Sequence, residues 1–342
     1  MTLPEPPASN LYTSLVPRQA AGMTTPDLPI DEAVRVALPG TCGEFVQGSL
    51  DGEPCLISCP MGWYSIAAVH FQSCGGWTVP AQAPKTRAAL HTGLAYLGRT
   101  ASGGCVHLHT ELPRGRGYGS STADIGATLY ALGRAAGRRL TPQEVARLAV
   151  QVEPSDSTLF PGLALWDHRS GHVYEDLGAP PPLTVVVLDP GGEVDTLAFN
   201  RLDHRQALRH LAPQHREAFS LLREGLRYGN LEAIGTAATL SATAHQAILA
   251  NPLLELTLAL AHEVRALGVC RAHSGTLLGL LLDPRHADVA RITALAAQRF
   301  ASAVMVFSLP LVSGGPRFLT GIQGALQAEG RTGLFPLPLE RE

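Results

Sequence analysis

Pro113-Arg114-Gly115-Arg116-Gly117-Tyr118-Gly119-Ser120-Ser121 decides how the rest of this 342-residue chain is read. It separates two patterns of different period. Before it, Cys105-Val106-His107-Leu108-His109-Thr110 puts Val106 and Leu108 on one face, as a strand does. After it, Ile125, Leu129 and Leu132 recur at i, i+4 and i+7, which predicts an amphipathic helix starting near Ser121. Glycines at 115, 117 and 119 permit close backbone approach and unusual dihedrals. The helix start offers free N–H groups and the positive end of the helix dipole, which suit a phosphate. A serine hydroxyl at that point can also ligate a phosphate-bound Mg²⁺. Gly-Lys-Ser/Thr is absent, so the stretch is not a Walker A loop. Gly115-x-Gly117-x-Gly119 also departs from the dinucleotide fingerprint GxGxxG, which sets aside an oxidoreductase. A serine-capped turn explains the glycines alone equally well; the leading proline and the Ser-Ser-Thr-Ala tail favour phosphate.

Outward from this stretch, strands and helices interleave, which predicts α+β or α/β layering. Ala33–Leu38 and Tyr64–Phe71 read as strands, the first ended by Pro39-Gly40. Thr141-Pro142-Gln143-Glu144 reads as a helix start, with Thr141 as N-cap, proline in the first turn and Glu144 at the capping-box position. Leu183–Leu188 is a β-prone run after a proline cluster, and a domain boundary is expected near 180. Helices are expected at about 203–228, 230–249, 253–267 and 285–299, with strands at 276–282 and 303–308. The expected organisation is a flexible leader over 1–32, a nucleotide-binding domain over 33–180, a second domain over 181–325 and a tail over 326–342.

The composition is 45% hydrophobic and 16% charged with a net charge of -3, which fits a globular protein with a sizeable core. No basic block is present, which argues against a general nucleic-acid or anionic-membrane partner. No apolar stretch approaches ~20 residues, so no spanning helix is expected. Cys42, Cys55, Cys59, Cys74, Cys105 and Cys270 form no CxxC pair, and buried free thiols in a reduced, cytoplasmic setting are expected. His107 and His109 share a strand face, but with no third ligand evident they read as a plain exposed face. Lys85 is the sole lysine, which reads as a genome bias toward arginine.

Pro113 through Asp124 resembles the second motif of the GHMP kinases, in which proline and a glycine-rich turn precede Gly-Ser-Ser and small residues. The Ser-Ser-Thr-Ala-Asp ending and Pro39-Gly40-Thr41-Cys42-Gly43-Glu44-Phe45-Val46-Gln47-Gly48 are similar to one branch, the L-threonine kinases of cobalamin assembly. The resemblance runs from about 34 to about 322 and is densest over 38–62 and 113–166. It implies a two-domain α+β fold: an α/β domain shared with a ribosomal protein, then a ferredoxin-like domain. ATP would lie across the cleft with Mg²⁺ on its phosphates. Pro113, Gly115, Gly117, Gly119, Ser120, Ser121 and Thr122 would hold the nucleotide. A small amino alcohol would be the partner, with a monomer or homodimer as the assembly.

Glu153-Pro154-Ser155-Asp156-Ser157 carries two carboxylates three residues apart around a proline that stops the preceding helix. Taken locally, an acidic surface turn fits these residues at least as well as a site. The resemblance turns them into a candidate pair: Asp156 as base or hydroxyl-orienting residue, Glu153 as Mg²⁺ ligand with Ser121. Glu144 is a weaker alternative ligand. Thr41 stands where many relatives carry a lysine. Glu44 and Gln47 are candidates for an acceptor's ammonium or hydroxyl, Ser274 and Arg271 for other substrate contacts, and Arg271 or Arg317 for its carboxylate. Homoserine, another amino acid or a sugar alcohol remains an alternative acceptor, as does a nucleotide-binding protein without catalysis.

Overall fold

The computed structural model describes residues 33–73, 75–194, 204–300 and 304–319; the expected leader, the tail and Cys74 lie outside the described residues. Strand β1 (Val34–Leu50) runs straight through Pro39-Gly40 instead of stopping there. Three register shifts against β2 (Glu53–Gln72), between 39 and 46, absorb the proline. Proline brings no N–H to a ladder, and bulges are where a strand tolerates it. The two strands turn at Asp51 and Gly52, with φ of 52° and 92°. Both signs are what a tight Asp-Gly hairpin turn requires.

The other strands are β3 (Trp77–Thr78), β4 (Gly103–Thr110), β5 (Leu163–Asp167), β6 (Tyr174–Gly178), β7 (Thr184–Asp189), β8 (Gly268–Arg271), β9 (Leu278–Leu282), β10 (Met305–Pro310) and β11 (Arg317–Leu319). Their order is β10-β7-β9-β8-β1-β2-β4-β3, with β11 on β1 and β5 joining β2 to β6. All pairings are antiparallel except β3 with β4. Among the described residues, β8 pairs with β1 at a single register position, Glu44 opposite Arg271.

The helices are α1 (Pro84–Tyr96), α2 (Ser120–Ala135), α3 (Pro142–Val150), α4 (Arg205–His210), α5 (Ala212–Tyr228), α6 (Leu231–Ala244), α7 (Leu254–Glu263) and α8 (Val289–Arg299). Helix α2 begins within a residue of its expected start and is buried from Thr122 to Gly133. Helix α3 has the reciprocal cap that its sequence spells: Thr141 Oγ1 accepts from the Glu144 N–H (3.2 Å), and Glu144 Oε2 accepts from the Thr141 N–H (2.7 Å). Helix α1 was not among the expected helices. Its buried positions, Thr86, Ala89, Leu90, Gly93 and Leu94, fall at i, i+3, i+4, i+7 and i+8, but threonine and glycine hold two of the five, so the apolar stripe is weak.

One apolar cluster lies under α2 against β1 and β2, and a second lies between β7–β9 and α7–α8. All five described cysteines are buried and free, as expected. Among the described residues no helix is long and apolar enough to cross a membrane. Nor do three metal-ligating side chains gather there; His107 and His109 stay on a half-buried strand face.

Candidate active site

Four successive carbonyls of the glycine loop accept hydrogen bonds from its surroundings. Gly115 O accepts from Val194 N (2.8 Å), and Arg116 O from Thr276 N (2.9 Å) and Leu277 N (3.1 Å). Gly117 O accepts from Gly43 N (3.3 Å) and Tyr118 O from Thr41 N (2.9 Å). Gly115, Gly117 and Gly119 have φ of 69°, 102° and 65°, alternating with residues of ordinary sign. Alternating handedness makes neighbouring amides converge into an anion nest. Helix α2 then starts from Gly119 with no side chain capping it, so its first N–H groups are left for a ligand. These features fit a polyphosphate.

Asp189, fully buried at the end of β7, fixes the loop's side chains. Its Oδ2 accepts from the Tyr118 hydroxyl (3.0 Å) and Arg116 Nη1 (3.1 Å), and its Oδ1 from the Gly191 N–H (2.8 Å). Truncation would strand a buried hydroxyl and loosen the nest. Asp189→Ala is expected to raise KM for ATP by about tenfold, more than it lowers kcat, since misplacement by ~1 Å can cost up to ~10²-fold. ADP release at varied ATP checks this.

The acidic loop lies across the cleft from the nest. Glu153 is buried; its Oε1 accepts from the Ser121 hydroxyl, and its Oε2 is 2.6 Å from Lys85 Nζ. The Asp156 N–H donates to Thr122 Oγ1 (3.0 Å). A Cβ on Gly119 would come within 2.7 Å of Asp156 Oδ2, so the carboxylate overhangs the loop. Burial pushes the Asp156 carboxyl up to about 6; Glu153 adds to the rise, while the hydrogen bond to Thr122 and the Lys85 charge oppose it. Burial likewise raises Asp124 to about 6, against a hydrogen bond from Ser65 (2.6 Å) and the charge of Arg114.

Lys85 is the residue that composition alone misread. The one lysine of the chain sits in the first turn of α1 and points its ammonium at Glu153. The Pro84 beside it, suited to a first helical turn, was the available clue.

The far end of the same cleft is lined by Glu44, His168, His273 and Ser274. Glu44 is 3% exposed, and its Oε2 has no hydrogen-bond partner. Several expected site residues sit elsewhere. Arg271 does not line the cleft: it is buried at the end of β8, with Nη1 on Gln246 Oε1 (2.9 Å) and Nη2 on Leu249 O (2.7 Å). Helix-terminal groups, not a substrate, occupy its fork. Arg317 lies over the Tyr64 ring (5.0 Å) and donates to the Gly315 carbonyl (2.9 Å). Gln47 is buried behind His273 rather than in the wall. Pro113 is outside the lining, Thr122 lines it while holding Asp156, and Glu144 is committed to its cap, Tyr96 and Arg138.

An anion nest facing carboxylates across one cleft is what transfer of a phosphoryl group to an alcohol asks of a protein: positioning, charge and a place for one proton. Comparison with known proteins agrees. Residues 86–160 match the family profile described as the GHMP kinases N terminal domain. An L-threonine kinase of Salmonella typhimurium is 34% identical over 272 residues, 79% of this chain and 89% of that protein. One from Citrobacter freundii is 33% identical over 264 residues, 76% and 90% of the two chains. The crystal structure of a homoserine kinase from Cytophaga hutchinsonii superposes with a TM-score of 0.64 at 18% identity, covering 86% of this chain and all of that one. The chain belongs to the GHMP kinase family. It is an ATP-dependent small-molecule kinase on that family's two-domain α+β fold.

Proposed function

We propose that this kinase phosphorylates the side-chain hydroxyl of L-threonine, giving O-phospho-L-threonine and ADP, for the aminopropanol arm of cobalamin assembly. The observation that carries the choice of acceptor is the similarity to L-threonine kinases over nearly their whole length. The free, buried thiols fit a reduced cytoplasm.

In this reading the glycine loop and the first turn of α2 bind the phosphates through their amides, with Lys85 adding a cation beside them. Residues 33–180 supply that donor side, and the loop around Ser274 closes the cleft from the second domain. Ser121 and Glu153 would hold Mg²⁺, since a hydroxyl and a carboxylate oxygen in contact are suitable hard donors. When bound, that ion neutralises charge on the transferring group. Asp156 orients the acceptor hydroxyl and takes its proton. Thr122 holds the Asp156 backbone in place for that step.

ADP release measured with L-threonine, L-homoserine and L-serine tests the acceptor. L-threonine is expected to give the highest kcat/KM by at least ~10-fold, the discrimination that one misplaced methyl or methylene provides. Turnover of homoserine without turnover of threonine would overturn the proposal.

A further inference from the structure

We infer that Glu44 and His273, the latter set by Gln47, form a subsite that recognises the α-ammonium group of an amino-acid acceptor. This rests on the kinase reading above and adds what the acceptor must carry besides its hydroxyl.

The orientation of Gln47 starts the chain of reasoning. Its Nε2 donates to the Arg271 carbonyl (3.3 Å), so its Oε1 is the atom 2.6 Å from His273 Nδ1. An amide oxygen only accepts, so Nδ1 carries the hydrogen. In a neutral imidazole the other nitrogen, Nε2, is then a lone pair. Burial, reinforced by the ring of His168 and the charge of Arg169, holds His273 well below the ordinary histidine range, which keeps it neutral. Gln47 thereby fixes the ring as an acceptor without touching the cleft.

Glu44 supplies the second acceptor. It stands at the register pair between β1 and β8, lines the cleft and leaves Oε2 unpartnered at 3% exposure. Burial and the nearby charge of Asp156 push the Glu44 carboxyl well above the ordinary carboxylate range, against a hydrogen bond from Ser58, so a cation beside Oε2 is what would hold it ionised. Asp156, whose charge acts on Glu44, is a third acceptor in the same cleft. Glu44 and His273, at the end of the cleft away from the nest, offer a carboxylate no donor. A neutral hydroxyl offers them a single hydrogen. An ammonium group offers three N–H donors and a compensating charge. A buried acceptor left unpaired penalises any ligand that lacks the matching donor, which makes this subsite a selector of amino alcohols over plain alcohols.

The test compares L-threonine with (R)-3-hydroxybutyrate, which keeps the hydroxyl and carboxylate and replaces the amine by hydrogen. The wild-type kcat/KM ratio of the two is expected to be at least ~100-fold, as for sites built to hydrogen-bond a missing group. Glu44→Gln is expected to lower that ratio by ~30-fold or more, and Glu44→Asp by much less, because it restores the charge. Gln47→Leu releases the ring and is expected to lower the ratio by ~10-fold without changing KM for ATP. An unchanged ratio in a folded Glu44→Gln protein overturns the subsite while leaving threonine as the substrate. If Glu44→Gln does not fold, a wild-type ratio near one, or an unchanged ratio in Gln47→Leu, overturns it instead. Turnover of hydroxybutyrate or another alcohol without an amine in place of threonine overturns the proposed function as well.

Discussion

Asp156→Asn is expected to lower kcat by about 10²–10⁴, the usual worth of a positioned general base, with little change in the thermal transition. The amide is nearly isosteric, and the backbone N–H still reaches Thr122, so the loop keeps its anchor. The wild-type enzyme should also show an acid limb in kcat/KM centred near pH 6, because Asp156 is raised to about 6 and works only when ionised. Activity is therefore full above that pH and lost as pH falls through it. An aspartate at its ordinary pKa of about 4 would keep the enzyme active roughly two pH units lower. Lys85→Met removes a charge that opposes the rise, so it should move the limb upward. A limb near pH 4, or an Asp156→Asn enzyme within about threefold of wild type, would remove Asp156 from the chemistry.

Gly43→Ala is expected to destabilise the fold by about 3–5 kcal/mol or to prevent folding, read from the denaturant midpoint. Gly43 has φ of 61°. A Cβ there would sit 2.2 Å from Arg271 C and 2.3 Å from Ala272 N. Those are backbone atoms of β8 and its exit, not the end of a flexible side chain, so relief requires parting β1 from β8. Gly52 gives the control: its φ is 92°, yet nothing lies within 4 Å of its Cβ position. Gly52→Ala should cost only the conformational penalty, ~1–2 kcal/mol.

What the sequence made legible was local. The strand, glycine loop and helix around 103–135 could be read because period, turn chemistry and helix start all lie within a few residues of one another. All three loop glycines do take positive φ. The Thr141 cap was legible for the same reason. Glu153 and Asp156 were ambiguous until the fold set them opposite Ser121 and Gly119, 32 and 37 residues away in the chain. Lys85 depends on Glu153, 68 residues downstream, and Arg271 on Gln246 and Leu249, 25 and 22 residues upstream, which no local pattern encodes. Arg271 was expected to contact a substrate. In fact β8 pairs with β9 and buries it, and its partners on α6 and beyond were invisible from its own neighbourhood. Pro39-Gly40 misled for a physical reason: a bulge can carry a proline through a strand, and bulges are set by the partner strand.

The carbonyls of the glycine loop have a consequence for the order in which the molecule assembles. Two of them are held by Thr41 and Gly43, but the other two are held by Val194, Thr276 and Leu277, up to 161 residues downstream. Contacts of such high sequence separation form late, after long loops have closed. The glycine motif is therefore complete as sequence long before it is complete as a receptor. A fragment ending near residue 180 would contain every loop glycine and lack three of the five hydrogen bonds that hold its carbonyls. Nucleotide affinity in this chain is a reporter of finished folding, and ATP binding should raise the stability of the whole fold, because only the assembled loop binds it.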